Sequence, residues 1–303
     1  MSAQWTALLD PTPEELREKS PTELHGHLLE VLCATPEPGN EPRPTILSYG
    51  SFILGVFVVA VVKRDENVVY YQELDMILTH DAVLTVCKTP PGGHPPYDIQ
   101  RVRAEVHPED TPGLIAYHIV DDIAERYLDL VDDVDAEIDE LEDNVETQAP
   151  ELTRQRISTL RHDLLRIRRT LSPTRDAVRR VVTDVVDVET GPKVFTGKVD
   201  VAFDVAYEKL MRAFEGLELS RDLLSSVRDY QQAKVAEEQN DIVKRLTSIA
   251  SLLLFPTFIV GVYGQNFHNI PELRWHYGYA LSWGVIIVVT IVQFVYFRRK
   301  NWL

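Results

Sequence analysis

Asn266 is the residue whose chemistry stands out most. It follows Gly264 and Gln265 at the end of an apolar run, 246–263, that carries no charge. A carboxamide oxygen is a neutral acceptor, able to take hydrogen bonds from the water shell of a cation. Contact through water suits Mg²⁺, which dehydrates reluctantly. A helix ending here would add the partial negative charge of its last carbonyls. Several such ends around one axis would form a cation-attracting mouth. A lone loop asparagine is also a common turn residue, and both readings stay open. Gln265 beside it either packs against a neighbour or offers a second amide. Upstream, Asn240, Val243, Thr247, Ala250, Leu254, Thr257 and Gly261 recur at three- and four-residue steps, the spacing of one helix face. Most are small or weakly polar. Such a face lets membrane helices pack closely, and in a symmetric ring it can also line a pore.

The elements that must position these residues lie near the C-terminal end. Two uncharged runs, 246–263 and 277–297, are each long enough to cross a bilayer as helices. The link 264–276 between them is polar. Its Glu272 either attracts cations or pairs with Arg274. Lys244 and Arg245 precede the first run, and Arg298, Arg299 and Lys300 in the basic tail 298–303 follow the second. The positive-inside rule then predicts a multi-pass protein of the cell membrane with both termini cytoplasmic. Tyr263, Trp275, Tyr277, Tyr279, Tyr296 and Trp302 stand near the run ends, as interfacial aromatics should. No proline occurs between Pro192 and Pro256. A single helix over 197–263 is therefore predicted, roughly 100 Å long at 1.5 Å per residue. Its part in 193–245 would be a cytoplasmic stalk. Gly264 would end it, a position where glycine tolerates the left-handed conformation of a C-cap.

The remainder predicts an α+β cytoplasmic domain over 1–112, with a small, mostly antiparallel sheet. Residues 1–45 are rich in Pro and Glu and show little periodicity, with 28–33 readable as strand or helix. Four strands are expected at 52–62, 68–74, 76–79 and 83–88. A helical hairpin follows over 113–190. Ile119, Ile123, Tyr127, Leu130 and Val134 open one heptad-like stripe, and Ile157, Leu160, Leu164, Ile167 and Leu171 form the other. The first helix is acidic and the second arginine-rich, so most of the carboxylates read as a solvated face partly neutralised by its neighbour. The net charge of −16 makes nucleic acid a poor partner and cations a good one. Cys33 and Cys87 suggest no disulfide framework. The start of the chain lacks the pattern of a signal peptide. His25 and His27 have no further ligand in view. No HExxH, GxSxG or phosphate loop occurs, and no enzyme is expected.

The stretch Tyr263-Gly264-Gln265-Asn266-Phe267, then Ile270-Pro271-Glu272-Leu273, then the ending Arg298-Arg299-Lys300-Asn301-Trp302-Leu303 resembles the CorA family of divalent-cation channels, the two-span GxN proteins. The family usually has Met where Gln265 stands, and its span proline falls one position before Pro256. The resemblance implies a homo-oligomeric, pentameric funnel in membrane lipid that takes up Mg²⁺, with Co²⁺ and Ni²⁺ as further cargo. Two spans cannot enclose a pore alone, so a ring of subunits is required. Asn240 precedes Asn266 by 26 positions, the family's separation. The implied pore is Asn240, Val243, Leu246, Leu254, Thr257, Gly261 and Asn266. Val243, Leu246 and Leu254 would be apolar constrictions that gate by dewetting. The resemblance also makes the acidic helix a cation-concentrating collar. It makes Asp65 and Asp204 ligands of a regulatory Mg²⁺ between subunits, through which intracellular divalent ions gate the pore. Two alternatives stand beside this reading. One is a ZntB-like Zn²⁺ transporter of the same fold. The other is a membrane-anchored coiled-coil scaffold without transport.

Overall fold

The structure is a computed structural model, and it describes residues 3–37, 39–63, 68–189, 191–266 and 274–303. The chain opens with strand β1 (Gln4–Leu9), helices α1 (Pro13–Lys19) and α2 (Gly26–Cys33), then strands β2 (Thr45–Ser48), β3 (Ile53–Lys63), β4 (Val68–Leu78) and β5 (Ala82–Lys88). The five strands form one sheet in the order β1-β5-β4-β3-β2. Only the β1–β5 pair is parallel.

Both faces of the sheet are covered, and strand alternation assigns residues to them. Leu54 and Val56 of β3, with Ile77, Leu84 and Val86, pack with Leu16 of α1 and Leu28, Leu29 and Leu32 of α2. Ile53, Phe57 and Val59, with Leu74, Met76 and Leu78, join the larger core on the opposite face. Burial on both sides explains why β3 reads as a near-continuous apolar run rather than an alternating one. Segment 28–33 is helical within α2.

The expected break between 74 and 76 does not exist: β4 is one strand of 11 residues, and Leu74, Asp75 and Met76 pair in unbroken register with Phe57, Val56 and Gly55. Asp75 stands at the expected break. In the fold Lys88 Nζ lies 3.1 Å from Asp75 Oδ2, an ion pair not aligned as a hydrogen bond, and donates to Glu73 Oε1 at 2.5 Å. It also donates to the Val31 carbonyl of α2 at 2.9 Å. A lysine with two carboxylates is thus held between the sheet and α2. Burial pushes the Asp75 carboxyl up to about 7, with Lys88 pulling it down and Glu73 pushing it up. Burial works to lower the Lys88 ammonium, but the two carboxylates outweigh it and hold the group above its ordinary value.

Helix α3 (Ile99–Arg103) leads to α4 (Pro112–Asn144) and α5 (Pro150–Val182). Thr111 caps α4, its hydroxyl accepting from the Leu114 N–H at 3.3 Å, and Pro112 follows where no N–H is needed. Tyr127 of α4 donates its hydroxyl to the Val58 carbonyl of β3 at 2.8 Å, tying the helix to the sheet.

Helix α6 (Lys198–Tyr263) is a single element of 66 residues, as the absence of proline between Pro192 and Pro256 predicts. Val199, Phe203, Ala206, Leu210, Ala213, Leu217, Leu224 and Val227 are buried at heptad spacing. Lys209 of α6 reaches Asp121 at 2.7 Å and Glu125 at 2.5 Å on α4. The chain divides into two compact units, Met1–Arg228 and Asp229–Leu303, and α6 runs from the first into the second.

In the second unit, α7 (Gly278–Arg299) carries the second apolar run. It ends in a Schellman-type cap. Asn301 is left-handed at φ 55°, and the Trp302 N–H donates to the Phe297 carbonyl at 3.0 Å. The Trp302 and Phe297 rings stack at 5.8 Å. This hydrophobic contact across the cap is the one such motifs use, so the Arg-Arg-Lys-Asn-Trp ending is ordered by its own residues.

Candidate functional site

The second half of α6 has two unlike faces. Ser248 is fully buried, and Ser251, Leu252, Phe255, Ile259 and Tyr263 are partly covered. Ile259 and Tyr263, with Phe258 and Val262, line a groove completed by Leu281, Ser282 and Val285 of α7. The other face is bare. Val243, Leu246 and Leu254 are 59%, 66% and 71% exposed, and Asn240, Thr257 and Gly261 are exposed with them. Ser248 and Thr257 lie nine positions apart, about two and a half turns at 3.6 residues per turn, so they point in opposite directions. The predicted pore-lining set therefore stands on one face of α6, turned away from its covered face. Ser248 and its neighbours escaped the sequence reading. The signal for them is a serine inside a leucine-rich run at the spacing of Phe255 and Ile259.

The hydroxyls in this stretch are turned onto the backbone. Thr257 Oγ1 donates to the Leu253 carbonyl at 2.7 Å, and Ser248 Oγ to the Lys244 carbonyl at 2.8 Å. Each satisfies its donor within the helix, as a hydroxyl in a dry environment must. Thr257 keeps acceptor lone pairs for a further donor such as a water. Pro256 lies within α6 without ending it.

At the helix end the Gly264 N–H donates to the Val260 carbonyl at 2.8 Å and the Gln265 N–H to Val262 at 3.4 Å. Here the structure corrects an expectation. Gly264 is not left-handed. A Cβ at this position would lie 3.0 Å from the Val260 carbonyl oxygen. The glycine serves close backbone approach in the last turn rather than a positive φ. Gln265 and Asn266 follow directly and are exposed. Their amides stand next to the last helix carbonyls, where the helix carries partial negative charge.

Other candidates separate from this stretch. Asp204 is exposed on the first half of α6. Asp65 and Glu272 lie outside the described residues, as do Phe267 and 270–273 of the motif. Among the described residues no group of three His, Cys, Asp or Glu is placed to hold a metal ion. His25 and His27 are exposed at the start of α2. The acidic helix α4 is neutralised by α6 as well as by the arginine helix. Glu137 pairs with Arg156 of the arginine helix. Asp121 and Glu125 are held by Lys209 of α6, and Asp135 accepts from Ser220 of the same helix. Asp122 binds Arg126 at 2.6 Å and Tyr97.

Comparison with known proteins supplies the family. The model of the CorA-like Mg²⁺ transporter protein family matches residues 2–299. The cobalt/magnesium transport protein CorA of Thermotoga maritima is 28% identical over 265 residues, 86% of this chain and 73% of that protein. The solved structure of the CorA magnesium transporter from Methanocaldococcus jannaschii superposes with a TM-score of 0.79 at 20% identity, covering 99% of this chain and 91% of that one. The ZntB cytoplasmic domain from Vibrio parahaemolyticus is more distant, with a TM-score of 0.55 at 15% identity over 78% of this chain and 90% of that domain. With α6, α7 and the Gly264-Gln265-Asn266 turn in place and a family match over nearly its whole length, this chain belongs to the CorA-like Mg²⁺ transporter family.

Proposed function

We propose that the chain forms a homopentameric channel that conducts Mg²⁺, and secondarily Co²⁺, across the cell membrane into the cytosol. The observation that carries this reading is the bare face of α6. Asn240, Val243, Leu246, Leu254, Thr257 and Gly261 are uncovered, and they lie opposite the face that includes the α7-facing groove. Five copies with these faces inward would bury them around one axis. Lipid would cover the exposed aliphatic residues of α7. Asn266 amides would ring the outer mouth and hold the hydrated ion, while Val243, Leu246 and Leu254 would form the apolar constrictions. Both termini would be cytoplasmic, beside Lys244, Arg245 and the capped Arg298–Arg299 end of α7. The driving force is the ion gradient and membrane potential, and no catalytic step is needed.

Liposomes holding the purified protein test this. The parent should pass Mg²⁺ in preference to Zn²⁺. Asn266→Ala should abolish Mg²⁺ flux with assembly intact by gel filtration. Asn266→Asp, which adds one charge per subunit, should hold cations more tightly and discriminate less. An assembled alanine variant that conducts like the parent would leave Asn266 a turn residue and favour the scaffold alternative.

The regulatory proposal is that a divalent ion binds between soluble units through Asp65 and Asp204 and holds a closed state. Its support is the match to the family pattern and the exposure of Asp204. Replacing both by Asn should weaken inhibition of flux by internal Mg²⁺ several-fold. Unchanged inhibition would remove both residues from the site.

A further inference from the structure

The first unit contains a cavity that the transport reading does not use. It is an open cleft of about 430 Å³ between the β3–β4 end of the sheet, the loops after α2 and β5, and helix α5. That is within the roughly 300–1,000 Å³ typical of small-ligand pockets. Three features inside it belong together chemically. The rings of Tyr70 and His94 stack with centroids 4.3 Å apart and planes 9° from parallel, giving a flat aromatic wall. Arg166 of α5 lines the cavity, and among the described residues its guanidinium makes no ion pair. Arg169, one turn on, lies with Nη1 3.5 Å from Glu41 Oε2, an ion pair not aligned as a hydrogen bond, while Glu41 Oε1 accepts from the Gly39 N–H at 2.7 Å; among the described residues the buried Oε2 has no aligned donor. A buried acceptor without a donor is costly and calls for a partner.

We propose that this cavity binds a nucleoside phosphate, with its base against the Tyr70–His94 stack, an exocyclic base amine donating to Glu41 Oε2, and its phosphate on Arg166. An aromatic wall suits a base because every base offers a π face. A free guanidinium suits a phosphate because it donates two parallel hydrogen bonds. The amine supplies an aligned donor to Glu41 Oε2, which the Arg169 ion pair does not. An aliphatic ligand would leave the ring wall unused, and a cation would face the guanidinium.

Titration calorimetry of the detergent-solubilised full chain with AMP, at constant free Mg²⁺, tests the proposal without reference to transport. AMP should bind saturably. Arg166→Ala should weaken it at least ten-fold, Arg166→Lys should recover part of that loss, and Tyr70→Ala should weaken it five-fold or more. Arg161→Ala, on the same helix outside the cavity, should bind like the parent. Thermal melting of each variant checks the fold. If Arg166→Ala melts early, Arg166→Gln gives the same readout with the side chain's length kept. The proposal fails if AMP gives no saturable heat, if ribose 5-phosphate binds as tightly as AMP, or if a folded Arg166 variant binds AMP unchanged.

Discussion

The two halves of α6 share one backbone and live in different surroundings. From Val199 to Val227 the helix presents a heptad stripe that is buried, with Lys209 and Ser220 tied to carboxylates of α4. Beyond Asp229 the same helix is bare over most of its circumference. Ile242, Leu246, Leu253, Leu254, Phe258 and Val260 are each more than half exposed. Burial of apolar surface gives about 25 cal/mol per Å², so the first half is stabilised by its own chain. The second half cannot draw that stabilisation from the protomer. In the proposed channel that stabilisation would come from lipid and from further copies of the chain. A helix can therefore be continuous in backbone and discontinuous in what stabilises it.

Leu210→Ala should separate the halves most strongly. Leu210 is fully buried, and its truncation should cost about 2–5 kcal/mol, read by denaturation of the full chain in detergent. Leu254→Ala should leave the midpoint near the parent's and change flux instead. Equal destabilisation by both would mean that the second half is packed within its own chain after all.

Acidity should act on the first unit through Asp75. Asp75 has its folded pKa raised to about 7 from an ordinary 3.8. Folding then favours the protonated carboxyl, so stability should fall as pH rises from about 4 to about 7, by an amount on the order of a few kcal/mol. Asp75→Asn should flatten that slope. A parent whose first unit gains stability across the same interval would contradict the assignment.

The glycines provide the smallest and sharpest contrast. A Cβ at Gly216 would lie 2.8 Å from Val131 Cγ1 of α4, whereas a Cβ at Gly261 would meet nothing within 4 Å. Gly216→Ala should cost about 1–3 kcal/mol by overpacking, and Val131→Ala in the same chain should restore part of it. Gly261→Ala should be neutral or favourable by about 0.5–1 kcal/mol through helix propensity, yet lower Mg²⁺ flux. Flux unchanged by Gly261→Ala would take this residue off the pore face.

Much of this is legible in the sequence. Charge-free runs, heptad spacing and the absence of proline before Pro256 mark α4, α5, α6 and α7, because each depends on local periodicity. The Gly264-Gln265-Asn266 turn was legible as a motif, although the backbone at Gly264 was misread: glycine is consistent with both a left-handed cap and a close carbonyl. Strand β1 was missed because it is an edge strand whose only partner, β5, lies more than 70 residues away. Asp75 concealed the continuity of β4, since its compensating charge, Lys88, sits on another strand. The Tyr70–His94–Arg166 cavity was invisible for the same reason: three distant segments build it.

The order of the two units along the chain has a consequence for biosynthesis. Residues up to Arg228 form the unit that is stabilised by its own contacts, and the bare apolar runs of α6 and α7 come after it. Domains generally fold in the order of synthesis, at about 5–20 residues per second. The sheet, α4, α5 and the buried half of α6 therefore leave the ribosome before either apolar run. The segments that would aggregate in water are exposed last and for the shortest time.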